Sequence, residues 1–212
     1  SLIEGAVGMM RLPRLTAEST MWDTVMACLA GAAGAAAGAI FLRLRSGIAG
    51  LLARSCPSRF WQPVAGGVAA GLVCTAAPIL LFSGHNEIGE MLRLGAEHGP
   101  ALLILLALGK ALACALCLAS HWQGGVVFPM CFAGGAAGAA VLFLLPGLDP
   151  VLGVAAGMSA AAAVGMRRPL VAGAIMLFTI GGGLAVAVLV GTLIGWYALR
   201  FLPPDPAEAE LH

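Results

Sequence analysis

The residues with the clearest chemical use are Gln123, Gly124, Gly125, Val126, Val127, Phe128, Pro129 and Met130, in succession. Two adjacent glycines allow a tight turn, and a proline suits the first position of a helix, where an absent N–H costs nothing. The apolar, small-residue run 130–145 that follows is long enough to be that helix. The spacing places the amides of Val126, Val127 and Phe128 at a helix N-terminus, with the positive end of its dipole. Gly125, Val126, Val127 and Phe128 are therefore candidate anion-binding positions. Inside a membrane, such a turn is the working part of an anion pathway. The plainer reading is that the glycines serve helix packing alone.

Few other residues offer chemistry. Lys110 is a single charge within an apolar run. It either ties down backbone carbonyls near a broken helix or adds positive potential to an anion pathway. Glu4 is a candidate proton-relay carboxylate, with solvation of a helix end as the alternative. His85 and Asn86 stand in a glycine turn, either a plain turn or one that caps or lines a vestibule, and His121 is expected at a cytoplasm-facing mouth just before the central glycines. Scattered histidines make no metal site. The six cysteines (Cys28, Cys56, Cys74, Cys114, Cys117, Cys131) fall mostly in apolar runs and read as small membrane-buried residues rather than disulfides or metal ligands. No G-x-S-x-G, H-E-x-x-H or phosphate-cradling motif is present, so no enzyme constellation and no cofactor is expected.

What must position these residues is a membrane-embedded helical scaffold. The chain is 60% apolar and only 10% charged, with a mean hydropathy of +0.99, outside the range of soluble domains. A net charge of +1 gives no reason to expect nucleic acid. Residues 1–23 read as the end of a truncated helix and a polar link, 24–202 as the transmembrane domain, and 203–212 as a polar tail. Within the domain, apolar runs at 24–42, 63–82, 100–120, 130–145 and 151–166 are separated by charged or Pro/Gly-rich breaks. The last run, 170–202, exceeds the roughly 20 residues of one crossing. Gly181, Gly182 and Gly183 divide it into two helices. Gly31, Gly34 and Gly38 predict close helix packing in the first run. Counting crossings puts Arg43, Arg45, Arg54, Arg59, Arg167, Arg168 and Arg200 on one side, which the positive-inside rule makes cytoplasmic.

Four stretches in order resemble the second half of the CLC family of chloride channels and chloride/proton antiporters. Ser83, Gly84, His85, Asn86, Glu87 and Ile88 are similar to the family's glycine-rich turn, and Lys110 falls where the family places a basic residue. Gly124 to Pro129 is similar to its G-x-F-x-P anion-binding turn. Gly157, Met158, Ser159 and Ala160, with Arg167, Pro169 and Leu170, match its later G-M-x-A and R-x-P-L pattern.

The resemblance implies an all-α integral membrane protein of tilted, broken helices, the C-terminal half of an inverted-repeat fold. It implies a homodimer in the lipid bilayer, of a bacterial-type inner membrane, with one chloride pathway per subunit. The amides of Val126 and Val127 would coordinate the ion, and the first and last helices would contribute to the dimer contact. This sequence departs from the family at three places. Val127 stands where the family has its aromatic, Phe128 being one place late. Gly5, beside Glu4, aligns with the family's second carboxylate, and Tyr197 comes too early for its late tyrosine. The serine loop and gating glutamate of the first half are not in this sequence, so either it is a fragment or another polypeptide supplies the N-terminal half it needs. Chloride channel or antiporter stays open. So do a broken-helix transporter for a small organic anion and a non-transporting degenerate half.

Overall fold

The computed structural model describes residues 21–56, 58, 60–81, 87–145, 149–180 and 182–203. Regular structure among them is helical throughout. In order come α1 (Met21–Ser55), α2 (Trp61–Ala76), α3 (Ile88–His98), α4 (Pro100–Ala119), α5 (Val127–Phe143), α6 (Pro150–Met166), α7 (Pro169–Ile180) and α8 (Ala185–Ala198). Short 3-10 turns occupy Pro78–Leu80, Gly182–Leu184 and Leu199–Phe201.

Prolines and glycines punctuate these helices. Asp149 caps α6, its Oδ1 accepting the Val151 amide at 2.9 Å, with Pro150 in the first helical position. Arg167, left-handed at φ 54°, ends α6, and Pro169 opens α7. Gly99, at φ 85°, turns α3 into α4, whose first residue is Pro100. The triple glycine does divide the last apolar run, giving α7 and α8.

The centre of the molecule is α6. Its residues 153–165 are all buried, as a helix apolar on every side must be. Around it pack α1, α5, α7 and α8. Glycines make this approach possible: a Cβ on Gly34 of α1 would lie 2.6 Å from the Gly157 Cα, and one on Gly157 would strike the Gly134 carbonyl of α5. Ser159, fully buried in α6, donates to the Ala155 and Ala156 carbonyls at 3.0 Å each. Its hydroxyl is thus satisfied within its own helix.

Three boundaries differ from expectation. The first helix begins at Met21 and runs on to Ser55, through the arginines of the charged break that follows the first apolar run. No proline interrupts it before Pro57, and Arg, Leu and Ala are good helix formers. The charged break between the second and third apolar runs holds an amphipathic helix, α3, burying Ile88, Met91 and Gly95 while Glu90, Arg93 and Glu97 face outward. The second apolar run breaks at Ala76, just before Pro78. Residues 1–20 and nearly all of the tail lie outside the described residues.

Candidate functional site

The central turn is held by its surroundings before α5 begins. Ser120, which caps the C-terminus of α4, donates through Oγ to the Leu116 and Cys117 carbonyls at 2.6 and 3.0 Å. The chain then reverses at His121, a non-glycine residue at φ 67°. The Nε2–H of His121 donates to Gln62 Oε1 at 2.9 Å, and the Gln62 amide donates to the Cys56 carbonyl at 2.8 Å. An amide oxygen only accepts, which fixes the ring nitrogen as the donor. Next along, the Trp122 indole donates to the Pro63 carbonyl at 2.9 Å. His121 and Trp122 thereby fasten the turn to the start of α2.

Gln123, Gly124 and Gly125 are irregular and exposed, and Val126 is the N-cap of α5, at φ −81° and ψ −27°. The helix starts two residues earlier than the proline suggested, so Pro129 is its third residue rather than its first. The cause is local: amides throughout a first turn lack a partner inside the helix, so a proline costs no hydrogen bond at any of them. The Val126 carbonyl already accepts from the Met130 amide at 3.1 Å. Valine has no side-chain acceptor, and the amides of Val126 and Val127 donate to none among the described residues. The side chains beside them are anchored, Val127 and Phe128 packing on the main core and Val126 on a smaller cluster with Met130.

Lys110, 1% exposed, sits near this turn. Its Nζ donates to the Leu80 carbonyl at 2.9 Å and the Leu81 carbonyl at 3.4 Å, and stands 5.2 Å from the Phe132 ring centroid of α5. The lysine thus does what the plainer of its two sequence readings said: it ties carbonyls at a helix break. Lys110, Gly124, Gly125 and Pro129 also line one cavity of about 420 Å³ between α2 and α4, walled otherwise mostly by Gly, Ala, Cys and Leu. Electrostatically this is a first helical turn with its positive end open, a few side chains from a buried ammonium.

Sequence reasoning placed Gly125, Val126, Val127, Phe128 and Lys110 in this neighbourhood, but it missed Gln62 and Trp122. Their partners lie 59 residues away, and no local pattern marks them. Glu4, Gly5, His85 and Asn86 fall outside the described residues. All six cysteines are free thiols; Cys131 is fully buried, whereas Cys28 is exposed on the outer face of α1.

With this arrangement in view, the family can be given. A model of the family described as voltage gated chloride channel matches residues 4–200. The chain belongs to that family. The chloride channel protein CLC-f of Arabidopsis thaliana is 36% identical to it over 80 residues, 36% of this chain and 10% of that protein. This chain thus matches about a tenth of the length of that curated relative. As a CLC family member it is an all-α integral membrane protein. α1 and α4, at 35 and 20 residues, are long and apolar enough to cross a bilayer.

Proposed function

We propose that the protein moves chloride, or a similar small anion, across a membrane, and that Gly125, Val126, Val127 and Phe128 hold the ion. One observation carries this reading: the amides of Val126 and Val127 open, uncapped, from a half-buried helix start beside the cavity lined by Lys110. Oriented amides and a partial dipole charge attract an anion without gripping it. Lys110 has its donors directed at Leu80 and Leu81, so its charge sets the potential without becoming a ligand. Full charge on the ion's path would slow its release.

By the family's architecture the working unit is a homodimer of complete inverted repeats, with one pathway in each subunit. In such a dimer an outer face carrying exposed Phe178, Leu189, Leu193 and Trp196 on α7 and α8 meets lipid or the partner. Glu4 is the carboxylate for proton coupling if the anion moves by exchange; without it the movement is passive.

A second reading rests on the cavity, whose volume of about 420 Å³ is generous for one chloride. A small organic anion would fill such a space better. Efflux from liposomes holding the complete protein distinguishes these, run with chloride and with an organic carboxylate, each with and without a pH gradient. Chloride flux is expected to dominate. Flux of the carboxylate alone would overturn the chloride reading, and proton uptake in step with chloride would identify an antiporter.

A further inference from the structure

The outward face of α1 is apolar over its first two thirds, with Trp22, Val25, Leu29 and Ile40 exposed. The opposite face packs on α6 through Gly34 and Gly38. From Trp22 to Arg43 the axis rises about 31 Å at 1.5 Å per residue, close to the hydrocarbon thickness of about 30 Å. Arg43 therefore emerges on the lipid-facing side where acyl chains give way to phosphates. Arg54 follows about three turns later on the same side. Both are exposed, and among the described residues neither makes an ion pair. No acidic residue occurs anywhere from Thr24 to Asn86.

Between the two arginines the helix surface is hollow. A Cβ on Gly47 or Gly50 would meet nothing within 4 Å. An open groove of about 350 Å³ runs along Ile40, Arg43, Leu44, Gly47, Ile48 and Leu51. At the same end of the molecule, Phe60 and Trp61 stand exposed as an edge-to-face pair, 5.5 Å between centroids, aromatics of the kind that sit at head-group level.

We infer that this face of α1 binds an anionic phospholipid of the surrounding bilayer, its acyl chain along Leu29 and Ile40, its phosphate on Arg43 and its head group in the hollow at Gly47 and Gly50, toward Arg54. The complementarity is direct: an apolar helix face that ends in cations, with no carboxylate nearby, suits a lipid that is apolar along its length and negative at its end. The site is separate from the central turn and does not rest on anion transport.

The test uses the full-length protein in mild detergent, titrated with phosphatidylglycerol and, separately, phosphatidylcholine of the same acyl chains, with bound lipid counted by native mass spectrometry. Phosphatidylglycerol is expected to bind at least about fivefold more tightly. That preference should fall toward unity in Arg43→Gln/Arg54→Gln and persist in Arg45→Gln, on the opposite side of the helix. Each single Gln variant carries the same test if the double variant does not fold. Equal binding of the two lipids, or an unchanged preference in the variants, would overturn the inference. So would displacement of phosphatidylglycerol by glycerol phosphate alone, which would mark a simple phosphate site.

Discussion

The Lys110 ammonium donates to the Leu80 carbonyl, 30 residues earlier in the chain, at 2.9 Å. The contact joins the middle of α4 to the 3-10 turn after α2, where the break at Pro78 leaves carbonyls without helical partners. A buried cation and orphaned carbonyls, each costly alone, satisfy one another. Lys110→Met should destabilise the protein by about 1–3 kcal/mol through the unpaired Leu80 and Leu81 carbonyls. Thermal melts in detergent measure this. A variant as stable as the parent would show that the contact contributes nothing.

The glycine contacts around α6 give a sharper contrast. Gly157→Ala places a methyl against the Gly134 backbone, where no flexible side chain can give way, and should cost about 1–3 kcal/mol. Gly47→Ala, in open space on α1, should instead stabilise by up to about 1 kcal/mol through helix propensity. Opposite signs are expected in the same melting assay, and equal shifts would contradict the close approach.

Gln62 links Cys56 to His121, so its loss should loosen the turn more than the fold. In Gln62→Ala, amide exchange of residues 121–125 is expected to quicken by roughly five- to thirtyfold, the worth of one or two hydrogen bonds of about 1 kcal/mol. Exchange within α6 should not change. Uniform acceleration would mean that Gln62 supports the whole domain instead.

Acid should act on α3. The side-chain hydrogen bond from Arg93 holds the Glu90 carboxyl below its ordinary value, and the same arginine reaches Glu97 at 2.8 Å. A carboxylate with a depressed pKa adds stability above its unfolded value of about 4.3 and loses it as pH falls through the folded value. Amides of α3 should therefore exchange faster, after correction for intrinsic rates, below about pH 4. The effect should shrink in high salt, because the groups are exposed. Exchange independent of pH through this window would remove the ion pairs from the account of α3.

Much of the scaffold is written locally. Asp149 with Pro150, Arg167 with Pro169, and Gly181 to Gly183 mark ends that backbone chemistry alone dictates, and the structure places helix boundaries at each. The extension of α1 through Arg43 and Arg54 was hidden because charges next to an apolar run resemble a loop, although a long helix can carry them beyond the hydrocarbon. Lys110 stood out as the lone charge of its run, yet which carbonyls it serves depends on a contact 30 residues away. The hold of Gln62 and Trp122 on the central turn spans 59 residues and leaves no periodic trace. The early start of α5 was missed because a proline is equally at home in any position of a first turn.

The most direct test of the proposed anion site removes one backbone donor and leaves every side chain in place. Incorporating the α-hydroxy acid of valine at position 127 replaces its N–H by an ester oxygen, while side chain and packing stay as they are. Chloride efflux from liposomes holding that protein is expected to fall about tenfold or more, since a hydrogen bond to a charged group is worth about 1.5–3 kcal/mol. Efflux equal to that of the unaltered protein, at equal amounts of folded protein, would contradict the assignment of the Val127 amide to the ion.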